Sequence, residues 1–560
     1  MAMWKQPRSR KHRLILRVFL GGVLAAAAAT HATQAAPSLV LVNAKVFTGT
    51  AGQPLAQAVA IEDGRILDVG SDERIRALAG PATRVVDVGG RLVVPGLIEA
   101  HVHLAQELPA PPLAMPGLPF PGPTAAQALA AIEAAARTQT DWICAYVGPL
   151  AARDPRNWRE ALDAVAPNTP VFLRGFWGHT SIVNSEGLRR LGIAENVADP
   201  LGGWWGRDAK GRLDGRAYEG AEVIGPRIRP ATPERLAQAF GEAQQRYARW
   251  GVTSIHLMNS DKSLQATLAG LTLAAPMQKW TVYSWGAWET SPQHIADAWN
   301  VIDAAAPRAP AKVRLEGPKW VLDGSPIEQL AFQREPYVGR PGWQGRSNYS
   351  DAQLREILQL ALKRPTQIAL HAVGDAETDR LIEMMRKLAP DDTWAARRVR
   401  IEHGDGLRAD TLASARRLGL VVVQNPTHLA LPEMDGHSMR DHPLPLKSVL
   451  SAGVPLAFGS DGGDREQNPF LNLMLAIQYP GQPAEALSRE QALLAYTAAA
   501  AFAERQEARK GRIAPGLAAD LAVLSHDLLT IPLQQFPSTT SLLTIVDGVS
   551  IFEDAASLGQ

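Results

Sequence analysis

The chain has 560 residues, with 57 basic side chains against 56 acidic ones and a formal net charge of +1. That length calls for a large domain with a smaller companion, and the neutral balance supplies no field to draw nucleic acid or an anionic membrane surface, which leaves a small molecule as the expected partner. A single cysteine, Cys144, excludes an internal disulfide and obliges any metal site to use histidine, carboxylate or modified lysine.

The N-terminus reads KQPRSRKHRLILR, cationic, then VFLGGVLAAAAA, apolar, then THATQAAPS, whose small residues suit a signal peptidase cutting after Ala35 or Ala36. Residues 1–36 are therefore expected to be a secretory signal. This places the mature chain in a periplasm or outside the cell, off the membrane once the signal is cleaved. The apolar run falls short of the about 20 residues that cross a bilayer; an uncleaved anchor is the alternative.

SLVLVNAKVFTG, QAVAIEDGRILDVG and TRVVDVGGRLVVPG follow as short strands, with Asp63-Gly64 and Gly89-Gly90 as hairpin turns. GRIAPGLAADLAVLSHD and SLLTIVDGVSIFED repeat that texture near the C-terminus. The two ends, residues 37–92 and 510–560, are expected to assemble one small β-sandwich around residues 93–509.

Between them, buried-looking strands alternate with helical stretches, the pattern of a parallel sheet with crossover helices. The strands read RLVVPGLIEAH, TPVFLRGFWGH, VTSIHLM, GPKWVLDG, QIALHAVGD, RVRIEHGD, LVVVQNPTH and VPLAFGSDGG. AQALAAIEAAARTQ, TPERLAQAFGEAQQRYARW, DAQLREILQLALKR and ADTLASARRLG carry apolar residues at helical spacing. Eight such units predict an α/β fold, a (β/α)8 TIM-like barrel, with its chemistry at the C-terminal ends of the strands.

Those ends carry His101 with His103, His179, His256, Lys319, His371, His403, Gln424 with His428, and Asp461. On a strand, residues two apart face one way, so His101 and His103 would present two imidazoles together. His371 and His403 could add two nitrogens, and Asp461 an oxygen that also takes the proton of a nucleophilic water. A helix-capping turn is the plainer role for Asp461 in FGSDGG.

In that order, VVPGLIEAHVHL, PVFLRGFWGHTSIVNSEGLRRLGI, GVTSIH, KWVLDGS, LHAVGD, RIEHGD, FGSD and GRIAPGLAADLAVL resemble the amidohydrolase superfamily. The similarity is to the branch of N-substituted formamide deformylases and related exported hydrolases, amidohydrolase family 3, over roughly residues 38 to 555. The resemblance implies that His101, His103, His371 and His403 are ligands of a divalent metal, zinc by expectation, as one ion or two. It makes Asp461 catalytic base and ligand. Lys319 stands where a carboxylated lysine bridges two ions in some relatives, an unmodified lysine paired with Asp323 being the alternative. His179 and Trp177, Glu219, His256 and His428 are expected to bind substrate. The sequence departs from the family in QNPTH, where Asn425 is inserted before Pro426, and in GSDGG after Asp461.

The expected activity is hydrolysis of a non-peptide C–N bond, an amide, an N-substituted formamide or similar, by metal-activated hydroxide with Asp461 as general base. An ester, lactone or phosphotriester hydrolase on the same barrel, and a non-catalytic metal-containing binding protein, are the alternatives. A homodimer is compatible with all of these.

Overall fold

The computed structural model describes residues 36–105, 108–118, 121–219, 224–259, 264–285, 295–430, 444–462 and 467–558. The predicted signal lies outside the described residues but for Ala36. So does most of the segment after the seventh strand, near residue 435.

Eight parallel strands form one sheet: Leu97–Val102, Val252–Asn259, Lys279–Trp285, Val313–Val321, Ala369–Ala372, Arg400–His403, Val421–Gln424 and Leu456–Phe458. The sheet curls until its edges meet. The Val102–Asp461 bridge joins first to eighth, with His103 N donating to Asp461 O at 2.8 Å and Asp461 N to His101 O at 2.8 Å. Alternation sorts the side chains of this cylinder. Ile255, Leu257, Leu370, Ala372 and Ile401 point out into the main apolar core beneath the helices, and each such buried leucine or isoleucine stabilises the fold by about 1.5–3 kcal/mol. Glu99, His101, Ser254, His256, Arg400 and Glu402 are buried polar groups at the alternate positions.

All four predicted helical stretches are helices, at Ala125–Ala136, Pro233–Arg249, Asp351–Lys363 and Ala409–Arg417. The first and third start with full capping boxes, Thr124 with Gln127 and Ser350 with Gln353.

Two strand assignments change. TPVFLRGFWGH is not the second barrel strand: Val171–Gly175 belongs to a separate five-stranded sheet with Ile143–Val147, Thr180–Val183, Gly203–Arg207 and Leu213–Glu219. VTSIHLM is the second strand, and the third, Lys279–Trp285, was overlooked. An apolar run bounded by turns reads the same in either sheet, because periodicity reports burial and not which neighbour supplies it. The inserted sheet has its own apolar clusters around Trp158, Leu173 and Phe172.

The chain ends build two further sheets. One orders Arg65–Gly70, Ala58–Glu62, Leu39–Val42 and Arg84–Asp87; the other joins Leu55–Ala56, Lys45–Phe47 and Leu92–Pro95 to Leu521–Leu524, Ser541–Val546 and Val549–Glu553. Leu41, Val59, Ile61, Val93, Leu521, Val523 and Ile545 pack between them as one cluster. The two ends thus meet in paired sheets, and RLVVPGLIEAH, read as one barrel strand, breaks at Gly96: its Leu92–Pro95 half belongs to this end sheet, past the expected boundary at residue 92.

Candidate metal centre

His101 lies one residue before the end of the first strand, with no exposed surface, and its ring is fixed from behind: Nδ1 donates to Glu402 Oε2 at 2.6 Å. An imidazole that spends its proton on a carboxylate presents a lone pair at Nε2. That atom stands 3.3 Å from His103 Nε2 and 3.2 Å from Asp461 Oδ1, and His103 Nε2 is 3.4 Å from the same oxygen. Ligands about 2.1 Å from one ion at tetrahedral angles stand about 3.4 Å apart, so this triangle has the dimensions of one face of a metal site. His101, His403 and Asp461 also form a candidate metal group, with ligand atoms all within 4.8 Å of one another.

His403 and His371 close the other side. His403 Nδ1 donates to Asn425 Oδ1 at 2.7 Å, which again turns Nε2 outward as a lone pair. Its ring centroid lies 5.0 Å from His101 and 4.6 Å from His371. His371 Nε2 is buried without a hydrogen-bond partner, which leaves its lone pair for a cation held among these ligand-type groups. Burial first, and then neighbouring positive groups, hold His103 and His371 well below the ordinary histidine value; burial and the nearby histidines do the same for His403. All three are thus neutral donors. Burial alone would raise Asp461, but the ring of histidines around it, His101 and His428 foremost, outweighs that and holds it well below the usual carboxylate value, ionised.

Lys319 reaches into the centre, with Nζ 3.1 Å from both His101 Nε2 and His103 Nε2. Burial lowers its pKa to about 8. Asp323, the partner once considered for it, has its oxygens engaged elsewhere: they accept N–H groups from Val373 at 2.9 Å, Gly374 at 2.7 Å and Phe332 at 3.0 Å. The donor set suits a divalent ion: neutral imidazoles and an ionised carboxylate, with Lys319 close to losing its proton.

The substrate-binding candidates divide. His428 is stacked on His403 at 5.7 Å, with Nε2 3.4 Å from Asp461 Oδ2. Asp461 keeps 28% and His428 23% of the side chain exposed against none for His101, so this pair marks the open side of the centre. His179 crosses over from the inserted sheet: its ring is 5.2 Å from His371, and its Nδ1 donates to the buried Glu219 Oε1 at 2.8 Å. Trp177 is half-buried, edge-on to the exposed Phe176 at 5.3 Å. His256 is in the site only by sequence spacing. It stands on the second strand, with no exposed surface, between Arg400 at 3.1 Å and Glu504 at 3.0 Å.

Glu402 and Asn425 were not foreseen. The signal for Glu402 was present, since in RIEH the residues two apart, Arg400 and Glu402, share the inner face. Asn425, read only as a departure from the family, is what orients His403.

A model described as the amidohydrolase family matches residues 84–552. N-substituted formamide deformylase of Arthrobacter pascens is 28% identical over 557 residues, covering 93% of this chain and 99% of that protein. Protein LONG AFTER FAR-RED 3 of Arabidopsis thaliana is 26% identical over 521 residues, 87% of each chain. Among solved structures, an uncharacterized metal-dependent hydrolase from Pyrococcus horikoshii OT3 shares the fold, with a TM-score of 0.64 at 20% identity over 89% of this chain and 99% of that one.

Proposed function

The chain belongs to the amidohydrolase family of hydrolases, and from that premise we propose that it is a divalent-metal hydrolase opening a non-peptide C–N bond, with an amide or N-substituted formamide as substrate. The observation that carries this reading is the triangle of His101 Nε2, His103 Nε2 and Asp461 Oδ1, with edges of 3.3, 3.2 and 3.4 Å. The relative in Arthrobacter pascens named for deformylation of N-substituted formamides supports the bond class. Zinc is the proposed ion, held by His101, His103, His371, His403 and Asp461, with Lys319 as the residue to bridge a second ion if carboxylated. When bound, such an ion polarises a carbonyl and acidifies a water.

The side chains do the rest. Asp461, ionised on the open side, accepts the proton of the attacking water and passes it to the leaving nitrogen. His179, anchored to Glu219 at 2.8 Å and 5.2 Å from the His371 ring, is the group placed to hydrogen-bond the substrate or the oxygen that gains negative charge. His428 Nε2, 3.4 Å away, holds Asp461 Oδ2. The signal read in residues 1–36 would deliver the enzyme to a periplasm or the exterior.

The test is a metal count on purified protein followed by assay of N-substituted formamides, N-acylated amines and aryl esters. The expected result is one or two divalent ions per chain and turnover of the formamides or amides. Hydrolysis of esters alone would move the protein to the ester branch, and no hydrolysis by the metal-loaded protein would remove the proposal.

A further inference from the structure

The barrel interior of such folds is filled by layers of branched apolar side chains. Here a small apolar cluster, Met258, Tyr283 and Ala369, stands apart from the main core, and beside it runs a column of charged groups. Lys510 Nζ lies 2.6 Å from Glu504 Oε1, which faces His256 Nε2 at 3.0 Å; His256 Nδ1 meets Arg400 Nη1 at 3.1 Å. Arg400 then grips Glu402 with two donors, Nε to Oε1 at 2.8 Å and Nη2 to Oε2 at 3.0 Å, and Glu402 Oε2 receives His101 Nδ1 at 2.6 Å. His256, Arg400, Glu402 and His101 have no exposed surface.

Donor chemistry gives this column a direction. Arginine has five N–H donors and no acceptor, so His256 Nδ1 must be the acceptor toward Arg400, and the ring proton sits on Nε2, beside the Glu504 carboxylate. Arg400 is further held by donating to Ala100 O at 2.6 Å and by lying 4.5 Å over the Tyr283 ring. Its orientation is therefore set on three sides before it meets Glu402. A planar fork against a carboxylate leaves that carboxylate acceptor-only. His101 is thereby obliged to donate from Nδ1.

We infer that Arg400, oriented by His256 and Glu504, is a positioning residue for the metal centre: through Glu402 it fixes the tautomer and ring angle of His101, so that the Nε2 lone pair faces the ion. Burying a charged column is costly unless each member is paired, and this one couples the opposite end of the barrel, through Lys510 and Glu504, to the first ligand. The inference rests on the reading of His101 as a ligand.

The test has two readouts. In metal-free protein with isotope-labelled histidine, magnetic resonance reports which nitrogen of His101 carries the proton, the signal being assigned by His101→Asn. Zinc affinity is then measured by competition with a chromophoric chelator. Wild type is expected to show the Nδ1–H tautomer. Arg400→Gln, with cooperative unfolding retained, is expected to show mixed tautomers and a zinc affinity lower by about 10- to 100-fold, the range for loss of such supporting contacts. Arg400→Lys, which keeps the charge and loses the fork, should fall between them and carries the test if the glutamine variant does not fold. A folded variant of either kind with an unchanged tautomer and unchanged affinity overturns the inference. If wild type binds no zinc yet the tautomer shifts, the proposed function fails with the role toward the ion, and only the orientation of His101 by Arg400 stands.

Discussion

His403 and Asp461 both sit in the left-handed region, at φ 69° and 68°, and Glu219 at 51°. Non-glycine residues there cost about 1–3 kcal/mol each and persist where surroundings hold them, commonly at functional sites. The reason is visible at His403. Strict alternation would send its ring outward with Ile401; the positive φ breaks the alternation and brings the ring to within 5.0 Å of His101. His101 and His103 were legible because the end of one strand and the residue just beyond it carry both. The roles of Glu402 and Asn425 were not, since each depends on a second strand arriving at hydrogen-bond distance. At this scale, Asp461→Asn keeps the shape and loses the base, so kcat is expected to fall about 10²–10⁴-fold, measured on whichever amide the wild type turns over. Asn425→Ala should free the His403 ring and weaken zinc binding about 10-fold or more, measured by chelator competition.

At the scale of elements, the fourth to eighth strands were placed correctly from sequence because each brings a histidine, lysine or aspartate at its end, beyond the apolar run. The third strand, KWTVYSW, ends in no such residue and was passed over, while the inserted strand before His179 imitated a barrel strand. The closure between first and eighth strands is where a backbone approach decides the site. Any Cβ at Gly459 would meet His101 N at 2.4 Å and His101 Cβ at 2.7 Å. Those are backbone-side contacts of a ligand and have no slack. Gly459→Ala is expected to force the two strands apart, destabilising the protein by about 1–3 kcal/mol as overpacking does and weakening metal binding with it; denaturant unfolding of the metal-free protein measures the first effect by itself.

For the molecule as a whole, the two chain ends hold the base of the strand that carries His101. Leu92–Pro95 pairs with Leu521–Val523 and runs on into Leu97–Val102, and Gly96 N donates to Asp520 O at 2.8 Å. Lys279 of the third barrel strand ties in the same place, 2.8 Å from Asp520 and 2.7 Å from Asp547. Burial would lower Lys279, but the two carboxylates outweigh it and raise its pKa above the ordinary value. A raised lysine stabilises the native state fully below the ordinary lysine pKa, about 10.4, and the contribution is lost as pH climbs through the native value. Asp520→Ala should therefore destabilise the fold by about 1.5–3 kcal/mol near neutrality, with the gap from wild type closing at high pH; unfolding curves at pH 7 and above 10.4 compare the two. The sandwich at the ends was legible from matching strand-and-turn texture, whereas its tie to the barrel depends on Lys279 and Asp520 meeting across 241 residues of sequence. The most direct test of the whole account is anomalous scattering at the zinc edge from crystals grown with zinc. The account predicts a peak bonded to His101 Nε2, His103 Nε2 and Asp461, with His371 and His403 around it; a peak elsewhere, or none while Lys319 keeps its contacts to both histidines, would contradict it.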